Sequence, residues 1–266
     1  MGPLWQLPLY GAAGALAGLV AGLFGLGGGV VLVPALLFLY AWQGFPPESI
    51  PVAAVATSLA TVAVTAAASA WAHHKLGSLD WQAVWRLAPG VVLGSGGGAW
   101  LAERLPGGWL KTLFAAYLLA VAAQMVRGFP SPAGQAPPRL WVYGGAGSLI
   151  GALSAMLGIG GGTLTVPFLL WSGFPIRRAV AVASALGVPI ALAGTLSYAL
   201  LGLNAPSLPP GSLGYVYLPA FSAISAASLV TAPMGARLAH RLPSEVLKRL
   251  FALSLALIGL KLWYGH

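Results

Sequence analysis

Apolar runs long enough to cross a bilayer recur along the chain, with short polar stretches between them. A membrane-spanning helix needs about 20 mostly apolar residues, so ten such segments would use roughly 200 of the 266 positions. The remaining positions suffice for loops and leave no room for a soluble domain. The pattern therefore predicts an all-α membrane protein with about 8–10 transmembrane helices.

The chain contains two copies of one unit. The segment GLGGGVVLVP at 25–34 matches GIGGGTLTVP at 158–167, and GAWLAERLPGGWLKTLFA at 98–115 matches GARLAHRLPSEVLKRLFA at 235–252. The matched segments follow in the same order, which indicates a tandem duplication of about 130 residues. We predict a first repeat over 1–127, a Pro- and Gly-rich linker over 128–139, and a second repeat over 140–266.

Each copy predicts the same succession of helices around a glycine-rich break. In the first copy the helix, break, short apolar piece and three further helices fall at 7–24, 25–29, 30–42, 51–72, 82–104 and 108–127. In the second copy they fall at 140–157, 158–162, 163–173, 178–202, 213–237 and 245–264. The pieces after each break are too short to span a membrane alone.

The basic residues differ between equivalent loops of the two copies. The first loop, near 45–50, carries none, whereas its counterpart carries Arg177 and Arg178. Because Lys and Arg accumulate in cytoplasmic loops, equivalent loops are expected to face opposite sides. This favours an inverted-topology repeat, as in many secondary transporters. A parallel repeat with four crossings per copy is the alternative.

Composition narrows the class of function. Hydrophobic residues make up 58% of the chain and charged residues 6%, with a net charge of +9 and no cysteine. The basic residues sit mostly at the ends of apolar runs and indicate membrane orientation, not nucleic-acid binding. Without cysteine, disulfides, thiolate metal sites and Cys nucleophiles are excluded. All four acidic residues lie in or next to loops, which favours an anionic substrate: Glu48, Asp80, Glu103 and Glu245.

The two glycine breaks are the candidate binding sites. Glycine and residues before proline are poor helix formers, so 25–33 and 158–166 are expected to be partly unwound, with a short helix starting at each proline. Bare glycine amides and a following helix N-terminus can hold an oxyanion. The candidate ligands are Gly27, Gly28, Gly29, Gly160, Gly161 and Gly162, and the hinge residues are Gly25, Pro34, Gly158 and Pro167. The alternative is that these glycines only permit close helix packing.

Hydroxyl groups near the breaks are the other candidate ligands. Thr57, Ser58 and Ser184 lie early in the helix after each break, and Thr163 and Thr165 follow the second break. Each could donate to a sulfonate or carboxylate oxygen, or bond back to a helix carbonyl. His73 and His74 sit at a helix end beside Lys75, where a loop role is expected, with a gate or a proton carrier as the alternative. We find no catalytic constellation and expect no enzyme activity, metal or cofactor.

These motifs resemble those of the TauE/SafE family of sulfite-exporter-like permeases. The resemblance rests on the two glycine segments, on ATSL at 56–59 with ASAL at 183–186, and on the endings at 98–105 and 235–242. It implies transport of small sulfur-containing anions such as sulfite or organosulfonates. Copy two departs from the pattern, with Ala185 where copy one has Ser58.

The sequence thus predicts a secondary transporter for a small anion, in which both glycine breaks hold the anion. It is expected in the cytoplasmic (inner) membrane as a multi-pass protein in contact with the lipid bilayer. A homodimer is the candidate assembly. The alternatives are an anion channel on the same fold and a membrane scaffold or assembly protein that transports nothing.

Overall fold

The protein is almost entirely helical. The computed structural model describes residues 6–25, 27–105, 109, 112, 113, 115–117, 119, 120, 122, 123, 139–205, 208–243, 246, 249, 250, 252, 253, 256, 257 and 260. The helices are α1 Leu7–Phe24, α2 Gly29–Trp42, α3 Ile50–Lys75, α4 Trp81–Arg104, α5 Leu140–Leu157, α6 Gly162–Trp171, α7 Ile176–Leu201 and α8 Leu218–Arg241. The positions described between 109 and 123 and between 246 and 260 are helical too. The prediction of an all-α membrane protein is confirmed.

The predicted helix bounds hold best where glycine ends the helix. Helices α1 and α5 have the bounds that the sequence predicts. The predicted helix over 213–237 instead begins at Leu218, because Ser212–Leu213 (β1) and Val216–Tyr217 (β2) form an antiparallel hairpin and a proline then starts α8. The predicted linker lies outside the described residues except for Arg139.

The prolines after the glycine breaks do not start the short helices. Helix α2 begins at Gly29 and α6 at Gly162, and both run through the later proline, Pro34 or Pro167. The expectation that residues 25–33 and 158–166 are unwound is therefore wrong beyond Gly28 and Gly161. In an apolar environment an unwound backbone leaves several polar groups unpaired, whereas a proline within a helix removes one hydrogen bond.

The outside of the molecule is apolar and its inside carries hydroxyl groups. Leu93, Trp141 and Phe38 are more than 70% exposed, whereas Ser58 and Thr61 are fully buried. Five of the described helices are long and apolar enough to cross a membrane: α1, α3, α5, α7 with its 3₁₀ extension to Asn204, and α8. Apolar side chains on the surface and buried hydroxyls are the arrangement expected for a protein surrounded by lipid.

Two helix pairs join the halves of the chain through small residues. Helix α1 packs on α8, and α4 packs on α5. In both pairs the residue numbers of the contacts increase in the same direction along the two helices, so the helices are parallel. Glycines allow the backbones to approach each other closely. The contacts are Gly14 with Ile224, Gly18 with Ser228 and Gly22 with Ala232, and Gly90 with Gly144, Gly94 with Ser148 and Gly98 with Ala152.

Helices α3 and α7 form the buried centre and run antiparallel. As residue numbers rise along α3, the numbers of their contacts fall along α7. The contacts that establish this direction are Leu59 with Gly194, Ala66 with Gly187, and Ser69 with Ser184. The start of each central helix therefore lies beside the end of the other.

Most basic residues lie at one end of this helix bundle, which we call the basic end. In the eight helices and the residues flanking them, the basic end holds Lys75, Arg86, Arg139, Arg177, Arg178, Arg237 and Arg241. The opposite end, called the hairpin end, holds β1, β2 and Arg104. There, burial raises the pKa of Tyr215, and the nearby Glu103 carboxylate raises it further. The uneven distribution of basic residues therefore distinguishes the two ends of the bundle.

We expect replacement of Gly98 by leucine to destabilise the protein. A Cβ at Gly98 would collide with the backbone of Ala152, so α4 and α5 would have to separate. Overpacking of this kind costs about 1–3 kcal/mol. Gly97→Leu is the matched control, since Gly97 is exposed on the same helix with nothing within 4 Å of its Cβ position. Thermal unfolding in detergent measures both, and equal melting temperatures would contradict the close packing of α4 on α5.

Candidate functional site

Each glycine break is a four-residue interruption between two helices. Gly25 directly follows α1 and Gly158 directly follows α5, both in the left-handed conformation with φ of 71° and 69°. Gly28 and Gly161, which precede α2 and α6, are also left-handed, with φ of 83° and 76°. Residues other than glycine pay roughly 1–2 kcal/mol in this conformation. The glycines therefore set where the helices stop and restart.

The two breaks lie against each other in the interior. A Cβ on Gly27 would stand 2.9 Å from the Cα of Gly160, and one on Gly29 would stand 2.7 Å from the Cα of Ile159. The described residues of both breaks are buried. The structure thus brings together the two segments that the sequence identifies as candidate sites, with their backbones in close contact.

Helix α6 begins with backbone amides that lack helical partners. Its first bonded amides are those of Leu164 and Thr165, which donate to the Gly161 carbonyl at 3.1 and 2.8 Å. The amides of Gly162 and Thr163 precede them and have no acceptor within the helix. The positive end of the helix dipole lies at the same place. This is the backbone arrangement that binds anions.

The hydroxyls predicted after the breaks reach different places. Ser58 donates to the carbonyl of Gly158 at 2.8 Å and so connects α3 to the second break. Ser184 lies 3.1 Å from Ser69 and donates to its own helix at 3.0 Å, and a Cβ on Gly25 would lie 3.2 Å from its Oγ. Thr57 accepts from the amide of Tyr217 at 2.9 Å. The three therefore do not converge on one point.

The second break carries more hydroxyls than the first. Thr163 accepts a hydrogen bond from Tyr117, and the Thr165 Oγ1 is buried without a partner among the described residues. The Ser154 Oγ is also buried and unpartnered, 3.4 Å from where a Cβ of Gly161 would stand. The corresponding positions of the first copy hold apolar residues: Val30, Leu32 and Ala21.

Ser154 is the site residue that the sequence analysis missed. It lies in α5, one turn before the break, where a serine commonly bonds to its own helix. The signal available in the sequence is its replacement by Ala21 in the first copy, together with the same apolar-to-hydroxyl change at Thr163 and Thr165. Three such differences within twelve residues distinguish the second break from the first.

A cavity of about 430 Å³ lies between α3, α4 and α7. Its walls are apolar, with three tryptophans, Trp71, Trp81 and Trp85, and it extends to Ala185. Apolar walls offer no compensation for the hydration that a small anion would lose. The breaks, with their amides and hydroxyls, suit an anion better than this cavity does.

The acidic side chains that the structure describes lie outside the buried interior. In the part of the chain that the structure describes, no Asp or Glu is buried and no three His, Asp or Glu side chains cluster as metal ligands. An anion at the second break would therefore meet no carboxylate among these residues. The site offers hydrogen-bond donors and a helix dipole.

Comparison with known proteins identifies the family. A family model described as "Sulfite exporter TauE/SafE" matches residues 10–262. A probable membrane transporter protein of Haemophilus influenzae is 38% identical over 253 residues, covering 94% of this chain and 95% of the relative. The probable membrane transporter protein MJ0441 of Methanocaldococcus jannaschii is 26% identical, and the match covers 97% of this chain and 95% of the relative.

A third relative is the probable membrane transporter protein YunE of Bacillus subtilis. It is 28% identical, and the match covers 75% of this chain and 82% of the relative. No solved structure matches the chain significantly. The resemblance seen in the glycine segments is thus confirmed, and these relatives are named as transporters and not as enzymes. The chain belongs to the TauE/SafE family of membrane transporters.

Proposed function

We propose that the protein is a secondary transporter for a small sulfur-containing anion such as sulfite or an organosulfonate, and that the anion binds at the second glycine break. The observation that carries this proposal is a pair of buried hydroxyls, Ser154 and Thr165, that have no partner among the described residues. Both residues lie near the start of α6, where the first amides have no acceptor within the helix. Buried polar groups are nearly always hydrogen-bonded, so unpaired ones point to a missing ligand.

The chemistry of the break fits an oxyanion. Sulfite and sulfonate groups present three oxygens that accept hydrogen bonds, and the amides of Gly162 and Thr163 with the two free hydroxyls are donors. The dipole of α6 adds positive potential at the same point. Glycine at 160–162 lets the anion approach the backbone without side chains in the way. The first break, which has apolar residues at the corresponding positions, would form the opposite wall of the binding site.

Alternating access between two inverted repeats is the proposed mechanism. The antiparallel direction of α3 and α7, which occupy equivalent places in the repeats 1–127 and 140–266, supports the inverted arrangement. The packing of α1 on α8 and of α5 on α4 supports it as well, because each pair joins one helix of the first repeat to one helix of the second. In transporters of this type, one set of helices rocks against another around a central site formed by broken helices.

The asymmetry of charge supports an orientation in the cytoplasmic (inner) membrane. Lys and Arg accumulate on the cytoplasmic side of membrane proteins. The basic end would accordingly face the cytoplasm and the hairpin end the outside. Anions in the cytoplasm would then meet a positive surface before they reach the breaks.

Uptake into proteoliposomes tests this function. We expect saturable uptake of labelled sulfite or of at least one sulfonate. Ser154→Ala and Thr165→Val are expected to raise KM about ten- to a hundredfold, since a hydrogen bond to a charged group is worth about 1.5–3 kcal/mol. Ser148→Ala is the matched control, because the Ser148 hydroxyl already bonds to the Gly144 carbonyl in the same helix.

Three results would contradict the proposal in different ways. Flux that follows voltage without saturating would indicate an anion channel. No flux of any anion through folded protein would favour a scaffold or assembly role. Saturable flux with an unchanged KM in both hydroxyl variants would leave the transporter in place and remove the second break as its binding site.

A further inference from the structure

One face of α3 carries a continuous row of buried polar side chains, which we call the hydroxyl row. Its members are spaced three or four residues apart, so they lie one above another on the same helix face. They are Ser58, Thr61, Thr65, Ser69 and His73, each no more than 1% exposed. The row extends about 22 Å along the helix, from the second glycine break to the basic end.

The hydroxyl row meets polar side chains from the other half of the chain. Thr65 donates to the Oγ of Ser228 on α8 at 2.7 Å, and Ser69 lies 3.1 Å from the Oγ of Ser184 on α7. These contacts place polar atoms between α3 and α8 at Thr65 and between α3 and α7 at Ser69, and Ser58 continues the row to the Gly158 carbonyl of the second break. The hydroxyl row therefore joins the candidate anion site to the basic end.

His73 closes the row at the basic end through two contacts. Its Nε2 lies 3.1 Å from the carbonyl of Gly22 on α1, and its Nδ1 lies 3.3 Å from the Nε2 of His240 on α8. A carbonyl only accepts, so the Nε2 of His73 carries a hydrogen and donates it. In the neutral ring Nδ1 is then an acceptor, and His240 donates to it. Ser78 lies 3.3 Å from the same nitrogen of His240.

The other ionisable groups at this end face elsewhere, with one exception. His74 packs against Trp81, and Lys75 lies over the ring of Trp71 with its Nζ 3.7 Å from the centroid. Asp80 accepts from the amide of Ala83 at the start of α4.

The exception is Arg177, at the start of α7. Its charge acts on His240, and its guanidinium donates to the Leu242 carbonyl at 3.2 Å. Of the other arginines at this end, Arg86 lies over the ring of Tyr143, with its Cζ 5.7 Å from the centroid. The rest are exposed: Arg139, Arg178, Arg237 and Arg241. Helix α1 contributes only the Gly22 carbonyl here, since Tyr10, its ionisable residue, lies at its other end.

We propose that His73 and His240 form a proton-binding gate that couples anion movement along the hydroxyl row to a proton gradient. The inference rests on the proposed function and adds the coupling ion to it. A proton taken from water at the basic end by the Nδ1 of His73 would set two N–H donors face to face. The contact between α3 and α8 would then open.

Opening at this place would expose the row to the basic end, and loss of the proton to water would close it again. The bound proton would also balance one negative charge of an anion in the row. In this chain the pair takes the place of the buried carboxylates that proton-coupled transporters commonly use.

The first test compares pH-driven uptake in His73→Gln and His74→Gln. Glutamine keeps a donor for the Gly22 carbonyl but cannot be protonated. We expect His73→Gln to lose the response to an imposed pH gradient and to show only low uptake, because no proton can then open the contact with His240. His74→Gln should keep that response, since His74 is the exposed neighbour on the same helix turn. An unchanged response in His73→Gln would overturn the gate and leave the transporter standing.

The second test needs no transported anion, so it separates failure of the gate from failure of the proposed function. The chain has no cysteine, and Leu76→Cys with Arg241→Cys places two spin labels at exposed positions beside the pair. We expect the distance between the labels to grow as the pH is lowered, and to stay constant when His73→Gln is added. A distance that does not change with pH in the otherwise unaltered chain would overturn the proposal.

Discussion

Gly161→Ala is expected to abolish transport by protein that still inserts into the membrane. Gly161 is left-handed with φ of 76°, so alanine costs roughly 1–2 kcal/mol before any contact is made. Its Cβ would collide with the Cδ1 of Ile190 and would stand 3.4 Å from the Ser154 Oγ, at the proposed anion position. The measurement is uptake per unit of folded protein in vesicles.

A matched control separates strain from obstruction of the site. Gly173 has φ of 85° and nothing within 4 Å of its Cβ position, so Gly173→Ala carries the same backbone cost without a collision. We expect Gly173→Ala to transport normally. Loss of transport in both variants to the same extent would attribute the effect to backbone strain alone.

A double variant then decides between packing and anion binding. Ile190→Val removes the Cδ1 atom that a Gly161 Cβ would meet, at a cost of about 0.5–1.5 kcal/mol. If Gly161→Ala with Ile190→Val is folded and still inactive, the bare glycine is needed by the anion. Recovery of transport would mean that the glycine only makes room for Ile190. Gly28 offers no such test, because its Cβ would meet the backbone carbonyl of Ala17 at 2.9 Å.

The helix ends could be predicted because they depend on local backbone chemistry. Gly25 and Gly158 end α1 and α5 in the left-handed conformation, and glycine adopts it without a steric penalty. The helix starts predicted at Pro34 and Pro167 were wrong for a reason outside the local sequence. Proline discourages a helix in water, but the apolar surroundings of α2 and α6 penalise an unpaired backbone more.

The partners of the polar side chains could not be predicted. Ser58 bonds to a carbonyl 100 residues away, and Thr65 to a serine 163 residues away. Such contacts depend on which helices pack together, and that packing follows from the whole set of small-residue contacts. His73 lies at the helix end where the sequence places it, and its burial there follows from the same packing.

The spacing along α3 was nevertheless visible in the sequence. Polar residues recur at every third or fourth position from Ser58 to His73 in an otherwise apolar segment. In a helix this spacing places them on one face. In a membrane protein a polar face of this kind is expected to point inward.

Single cysteines at the starts of α3 and α7 are expected to be labelled from opposite sides of the membrane. The antiparallel contacts place the start of α3 at the hairpin end and the start of α7 at the basic end. Glu48→Cys and Arg178→Cys introduce exposed thiols beside these two starts in a chain without other cysteines. The measurement is reaction of intact cells with a maleimide that cannot cross the membrane.

We expect Glu48→Cys to react in intact cells and Arg178→Cys only after the membrane is permeabilised, because Lys and Arg mark the cytoplasmic side. Arg237→Cys is the internal control, since Arg237 lies exposed near the basic end of α8 and should behave like Arg178. Labelling of Glu48→Cys and Arg178→Cys from the same side would rule out inverted repeats. It would favour two parallel repeats with four crossings each, in which the breaks cannot approach one site from opposite directions.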